Sequence, residues 1–299
     1  MSAESEGDNE VVVDIAEWVE KAKSDPEAYL ERQATEVFLT ALGIAEPFSH
    51  QIFLKGGILM GVVYQSPRQT GDIDFTTIME PTPEIGDQIS NALDAAFPRA
   101  AAELGYPDLL CAVQTSKYRP AMEKFPTAEA PALLLKIGYA RRGSPQERHF
   151  QQGRAINTLD VDISFREPVR AIQIVKFTGS SGRVHAYSLF DLIAEKLRAL
   201  LQQELRNRFR RQDIYDLDAL LNKFALDDDE KQKLHETLLE KCAARKINPN
   251  EQSLSQPEIV RRAKQEWDTL GQELAEVPDF DDCFSRVDAF YRSLPWKRD

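Results

Sequence analysis

The chain has 299 residues, of which 42% are hydrophobic, so it is long enough to bury a sizeable core in one large domain or two modest ones. Its formal net charge of −12 excludes a uniformly basic nucleic-acid-binding protein, although a local basic strip could still hold a nucleic acid. The sequence shows no signal-peptide pattern and no run apolar enough to cross a membrane. These features predict a cytoplasmic protein with no membrane partner.

The first predicted elements are helices. Residues 1–12 are mostly small, polar and acidic, which predicts a disordered tail. From Asp14 to about Leu42 the apolar residues recur at helical spacing, and the pattern breaks at Asp25-Pro26. An aspartate followed by proline is typical of a helix start, so the sequence predicts two consecutive helices.

The chain up to residue 187 then combines strands and helices. A short apolar strand ends at the glycine turn Gly56-Gly57, and the next strand, Asp72–Thr76, alternates polar and apolar residues. A helix is predicted over Ile85–Ala102. Three further strands are predicted over Leu109–Thr115, Ala132–Tyr139 and Thr158–Phe165. This mixture predicts a core domain over residues 13–187.

Beyond Ser188 the sequence reads almost entirely as amphipathic helix. Helices are predicted over Leu189–Leu205, Asp213–Phe224, Asp228–Ala244, Pro257–Leu274 and Asp281–Leu294. The second part is therefore a C-terminal helical domain over residues 188–299, and the whole chain is assigned to the α+β class.

Two aspartates in a predicted strand form the centre of the candidate site. Asp72 and Asp74 are two residues apart and point to the same face, a geometry suited to Mg²⁺, which prefers hard oxygen ligands. Alone, such a pair more often marks the solvated face of a strand. Here a glycine turn able to approach a phosphate precedes it, and a second acidic strand supplies Asp160 or Asp162. Three carboxylates beside a phosphate-binding turn are what two-metal phosphoryl or nucleotidyl transfer requires.

Three groups of residues follow one another in a fixed order. The first comprises Lys55, Gly56, Gly57, Arg68, Thr70, Asp72, Asp74 and Phe75. The second is the hydrophobic strand Val161-Asp162-Ile163-Ser164-Phe165, and the third contains Glu195-Lys196-Leu197, Arg210, Asp213 and Asp216. Together they resemble the motifs of the AbiEii/AbiGii family of nucleotidyltransferase toxins. A further family motif is matched loosely by Lys136 and Arg141, and the Ile-Ser-Phe that follows Asp162 favours it over Asp160 as the third acid.

The resemblance implies a nucleotidyltransferase-type mixed sheet flanked by helices. It implies that Asp72, Asp74 and Asp162 hold catalytic Mg²⁺, with Mn²⁺ as an alternative ion, and that Lys196 is a catalytic lysine that reaches the triphosphate. The implied nucleotide-binding residues are Lys55, Gly56, Gly57, Arg68, Thr70, Lys136, Asp213 and Asp216. The expected reaction transfers NMP from an NTP to an acceptor hydroxyl and releases pyrophosphate. The family further implies a tRNA acceptor, inhibition of translation and growth, and a cognate antitoxin, and it leaves open whether the antitoxin acts with or without direct contact.

The densest basic cluster lies at Arg206–Arg211, which a solvated loop would explain equally well. As a phosphate-binding strip it makes RNA a candidate ligand. The candidate RNA-binding residues are Arg141, Arg142, Arg206, Arg208, Arg210 and Arg211. Three alternatives stay open: a nucleotidyltransferase with a protein or small-molecule acceptor, a phosphotransferase that releases NDP, and a catalytically silent nucleotide-binding protein.

Overall fold

The computed structural model describes residues 10–68 and 70–296. The strands are β1 (Glu10–Val13), β2 (Ile52–Lys55), β3 (Asp72–Thr77), β4 (Leu109–Arg119), β5 (Ala132–Arg141), β6 (Asn157–Phe165), β7 (Ile172–Phe177) and β8 (Arg183–Tyr187). They form one sheet in the order β1-β7-β8-β2-β3-β6-β5-β4. The sheet is mixed, because β3 runs parallel to β6 whereas β5 runs antiparallel to both β4 and β6.

The α-helices are α1 (Ile15–Glu20), α2 (Pro26–Ile44), α3 (Gly56–Val62), α4 (Ile85–Glu103), α5 (Glu147–Gln151), α6 (Leu189–Leu201), α7 (Gln203–Arg206), α8 (Arg211–Lys223), α9 (Asp228–Ala243), α10 (Pro257–Lys264) and α11 (Phe280–Arg292). The predicted break before α2 is confirmed, since the Asp25 side chain accepts hydrogen bonds from the backbone of Glu27 and Ala28. Of the helices described, none has both the length and the apolar content to cross a membrane. The predicted α+β class with a mixed sheet is confirmed.

The contacts within the chain define two compact units. The first contains the chain through Val63, Gly71–Glu167 and Ile172–Ala186, and so holds nearly all of the sheet. The second contains Tyr64–Thr70, Pro168–Ala171 and the chain from Tyr187 onward. Two short segments that precede residue 187 in the sequence therefore pack with the C-terminal helices.

Alternation along β3 separates two faces of the sheet in the first unit. Ile73 and Phe75 are fully buried, and Phe75 packs edge-on against Phe38 of α2 with ring centroids 5.9 Å apart. Phe38 also lies against Phe97 of α4, with ring centroids 6.5 Å apart. Each fully buried side chain of this kind stabilises the fold by roughly 1.5–3 kcal/mol. Helices α2 and α4 thus cover one face, and the aspartates of β3 lie on the other.

Two sequence-based expectations require correction. Residues 10–12, expected within a disordered tail, belong to β1, because three consecutive valines follow Glu10 and the strand pairs in parallel with β7. The rest of that tail lies outside the described residues. The helix expected over Pro257–Leu274 ends at Lys264, since Glu266 adopts a left-handed backbone conformation with φ of 61°. The residues after it form a short 3₁₀ helix, Trp267–Gln272.

Candidate active site

Four aspartates lie on one face of the sheet in the first unit. The parallel pairing of β3 with β6 sets Asp72 beside Asp160 and Asp74 beside Asp162. Asp72 and Asp160 are exposed, whereas Asp74 and Asp162 are half-buried. The register of the two strands therefore brings together the three acids that the sequence indicates as metal ligands, with Asp160 beside them.

Two of these acids accept hydrogen bonds from cations on neighbouring strands. Arg119 of β4 reaches across β5 and donates to Oδ2 of Asp162 at 2.7 Å. Lys136 of β5 donates to Oδ1 of Asp160 at 2.6 Å. Within the described part of the chain, the buried Oδ1 of Asp162 has no hydrogen-bond donor. A buried polar atom without a partner costs about 1–3 kcal/mol, so this oxygen would gain most from a ligand.

The donor chemistry of this face fits a hard divalent cation. Asp72, Asp74 and Asp162 offer carboxylate oxygens, which Mg²⁺ and Mn²⁺ prefer. Among residues 10–68 and 70–296, however, no three Asp, Glu, His or Cys side chains are gathered in a geometry that would hold an ion. Arg119 occupies one oxygen of Asp162, so that aspartate would exchange its guanidinium partner for the ion.

The turn between β2 and α3 presses its backbone against the acidic strand. Gly56 has φ of 71°, a conformation that residues with side chains rarely adopt. A Cβ atom at this position would lie 2.4 Å from Oδ2 and 2.9 Å from Cβ of Asp74. Position 56 therefore requires glycine on two independent grounds. Gly57, which follows in α3, is buried.

Lys55 lies at the end of β2, directly opposite Asp74 in the pairing of β2 with β3. Its ammonium group forms an ion pair with Glu167, and each of the two side chains is only 10% exposed. Glu167 is a partner that sequence reasoning did not identify. The predicted nucleotide-binding lysine is thus already held by a carboxylate.

Lys196 of α6 lies in a buried ion cluster of the second unit. Its ammonium group donates to Asp216 at 2.6 Å and to Asp213 at 3.1 Å. Arg68 donates to both oxygens of Asp216, at 3.0 Å each, and to Glu273 at 2.8 Å. The cluster therefore joins four of the residues predicted as catalytic or nucleotide-binding to Glu273, which was not predicted. Thr70, which follows Arg68 by two residues in the sequence, is half-buried.

Burial and charge act in opposite directions within this cluster. Burial alone would lower the pKa of Lys196, but the carboxylates of Asp216 and Asp213 raise it above its ordinary value. Burial would likewise raise the pKa of Asp216, but Lys196 and Arg68 hold it below the usual range. Lys196 and Asp216 are therefore both charged at neutral pH.

The candidate RNA-binding arginines are divided between the two units, and several are paired with acids. In the first unit, Arg141 donates to Asp108 at 2.8 Å. In the second, Arg210 and Arg211 each form an ion pair of 3.7 Å with an acidic side chain. The members exposed to solvent are Arg142, Arg206 and Arg208. The structure thus leaves fewer of these cations accessible than the sequence predicts.

Comparison with known proteins gives a consistent result. The family model described as nucleotidyl transferase AbiEii toxin, type IV toxin–antitoxin system, matches residues 37–286. The chain is similar in fold to MenT4, a nucleotidyltransferase toxin of Mycobacterium tuberculosis H37Rv, with a TM-score of 0.57 and 15% identity over 93% of this chain and 88% of that one. A weaker match, JHP933 from Helicobacter pylori, has a TM-score of 0.46 and 14% identity over 88% and 90% of the two chains. No curated protein sequence matches the chain.

Proposed function

Because the chain belongs to the AbiEii family of nucleotidyltransferase toxins, it is a nucleotidyltransferase, and we propose that it transfers NMP from an NTP to a hydroxyl group of tRNA. The observation that carries this proposal is the register of β3 and β6, which places Asp74 beside Asp162 on the face that also bears Asp72. Nucleotidyl transfer needs such a set of carboxylates next to a phosphate-binding turn.

In this proposal Asp72, Asp74 and Asp162 hold Mg²⁺ or Mn²⁺. The bound ions would lower the pKa of the attacking hydroxyl group and offset the charge of the leaving pyrophosphate. Asp162 contributes its buried Oδ1, which has no donor in the described part of the chain. Asp72 is exposed at the start of β3 and so is accessible to a substrate.

Further residues are proposed to bind the triphosphate. Gly56 and Gly57 would bind phosphate oxygens through their backbone N–H groups, and Lys55 and Lys136 would add positive charge on either side of the acids. Lys196 is the proposed catalytic lysine, and it would offset charge on the pyrophosphate. The remaining nucleotide-binding candidates, Arg68, Thr70, Asp213 and Asp216, would keep Lys196 charged and in place.

The biological role follows from the family. The chain is the toxin component of a toxin–antitoxin system. We propose that it modifies tRNA in the cytoplasm, so that translation and growth stop. The cognate antitoxin would oppose this effect, either by contacting the toxin or indirectly.

The test is incubation of the purified protein with Mg²⁺, each α-labelled NTP in turn and total tRNA. The Asp72→Asn/Asp74→Asn variant is the control, because it keeps the size of both side chains while removing their charge. We expect label on tRNA with the wild type and at least a hundredfold less with the variant, the scale of loss when a charge-stabilising catalytic group is removed. Label on protein or on a small molecule would reject the tRNA acceptor, and release of NDP would reject nucleotidyl transfer.

A further inference from the structure

The edge strand β4 carries two cations on the same face as the aspartates. Alternation along β4 puts Lys117 and Arg119 on this face, whereas Tyr118 between them turns to the opposite side and joins an aromatic cluster. The alignment continues across β5, where Lys117 lies opposite Leu134 and Leu134 lies opposite Asp162. The two cations are therefore part of the surface that contains the candidate metal ligands.

Both cations are exposed to solvent, and they form few ion pairs within the protein. The Arg119 side chain is 58% exposed, and a single terminal nitrogen is bound to Asp162. A guanidinium group has five N–H donors, so most of them remain available to another ligand. Lys117 is exposed, and no acidic side chain among residues 10–68 and 70–296 pairs with it. Two such cations beside a group of carboxylates, in a chain of net charge −12, favour an anionic ligand.

The order of the strands indicates that this anionic ligand is the acceptor and not the triphosphate. The glycine turn at Gly56 adjoins β2, on one side of the acidic strands β3 and β6, whereas β4 lies on the other side beyond β5. In an in-line displacement, the attacking and leaving oxygens lie on opposite sides of the reacting phosphorus. If the triphosphate leaves from the side of the glycine turn, the acceptor approaches from the side of β4.

The form of the surface suits an extended polyanion. Lys117 and Arg119 are separated by about 7 Å along an open edge strand, the distance spanned by two residues of a β-strand. We propose that Lys117 and Arg119 bind the phosphodiester backbone of the RNA acceptor and so position its reacting hydroxyl beside the aspartates. This inference rests on the proposed function and adds to it the place where the acceptor binds.

The test measures the affinity for tRNA of the Lys117→Gln/Arg119→Gln variant by fluorescence anisotropy at a series of salt concentrations. Each phosphate contact in a single strand contributes about 0.7 to the slope of log affinity against log salt, so loss of two contacts should reduce the slope by about 1.4. The affinity at low salt should fall severalfold or more. The affinity for NTP, measured separately without RNA, should not decrease, because Arg119 competes with the ion for Asp162.

Two control variants isolate the effect. Lys21→Gln/Lys23→Gln removes the same charge from two exposed residues just after α1, which packs on the α2 helix that covers the other face. It should leave the slope unchanged. Arg119→Lys keeps the charge and should retain most of the slope. A common thermal midpoint for all variants would show that each is folded.

Several results would overturn the inference. It fails if the double variant binds tRNA like the wild type, if the α1 control loses as much slope, or if the variant instead loses affinity for NTP. A wild type that does not bind tRNA also overturns it. By contrast, a wild type that binds tRNA through these cations without labelling it would overturn the proposed transfer to tRNA, while the binding of an RNA backbone by Lys117 and Arg119 would be supported.

Discussion

The acidic face of the sheet and the Lys196 cluster are built from the same residue types but differ in their exposure to water. On the sheet, the paired side chains of Lys136 and Asp160 are 48% and 56% exposed. In the second unit, those of Lys196 and Asp216 are 7% and 0% exposed. The ion pairs have the same length, 2.6 Å between the charged atoms in each case. The difference between the two regions therefore lies in solvation and not in geometry.

This difference decides what each region can do. An ion pair exposed to water contributes only about 0–1 kcal/mol, so its partners can be exchanged for a metal ion or a phosphate at little cost. Breaking a buried pair by removing one partner costs about 3–5 kcal/mol, because a charge is left without compensation. We therefore expect the acids of the sheet to exchange their partners for ligands, and the acids of the Lys196 cluster to hold that lysine in one position.

The largest expected effect is that of Asp216→Ala. The substitution leaves Lys196 and Arg68 buried without their shared carboxylate, and should lower the free energy of unfolding by about 3–5 kcal/mol. Urea denaturation measures this change. The matched control is Asp281→Ala, since Asp281 also binds a lysine, at 2.9 Å, but is 73% exposed and should matter little. Equal losses in the two variants would remove the proposed distinction between the regions.

Substitution of Asp162 and of Asp160 should show which of these two aspartates is the third metal ligand. Asp162→Asn should reduce nucleotidyl transfer by about a hundredfold or more, because it alters the buried oxygen proposed as a metal ligand. Asp160→Asn should reduce it only severalfold, since Asp160 is exposed and bound to Lys136. Initial rates with the preferred NTP measure both. The reverse order would make Asp160 the ligand.

The smallest effect concerns pH. The pKa of Asp216 is lower in the folded protein than in the unfolded chain, so its contribution to stability is complete above its unfolded value of about 4 and is lost as the pH falls through the folded value. The pKa of Lys196 is raised, so its contribution is complete below about 10.5 and is lost only as the pH rises through its folded value.

The free energy of unfolding, measured by urea denaturation between pH 2 and pH 7, should therefore decrease less steeply toward acid in Asp216→Asn than in the wild type. The slopes of this free energy against pH should differ by at most about 1.4 kcal/mol per pH unit, the effect of one proton. An identical acid slope in the two proteins would mean that Asp216 does not titrate in this way. The exposed control Asp281→Asn should retain the wild-type slope.

Much of the fold could be predicted from local patterns. The aspartate and proline at the start of α2 and the alternation along β3 are sufficient to place those elements, because capping and periodicity involve only neighbouring residues. Three of the eight strands described, β1, β7 and β8, are absent from the predicted set. They are short, and they depend on pairing between distant parts of the sequence, since β1 pairs with β7 and β8 pairs with β2.

Local sequence patterns predicted less of the candidate site. Arg119 reaches Asp162 only because β5 lies between their strands, and the order of strands is not a local property. Glu273 binds Arg68 across 205 residues of sequence. Lys196 is buried whereas Lys136 is exposed. The residues next to a lysine in the sequence do not reveal this difference in burial.

The position of β4 has a consequence for the protein's behaviour at high concentration. With eleven residues it is the longest of the eight strands described, and it forms an edge of the sheet. A long edge strand offers backbone N–H and C=O groups to which a second chain could add by strand pairing. The irregularity between Val113 and Thr115 and the cations at 117 and 119 both oppose such pairing. A chain that lost these charges would thus be more prone to edge-to-edge aggregation, which links its colloidal stability to the same two side chains.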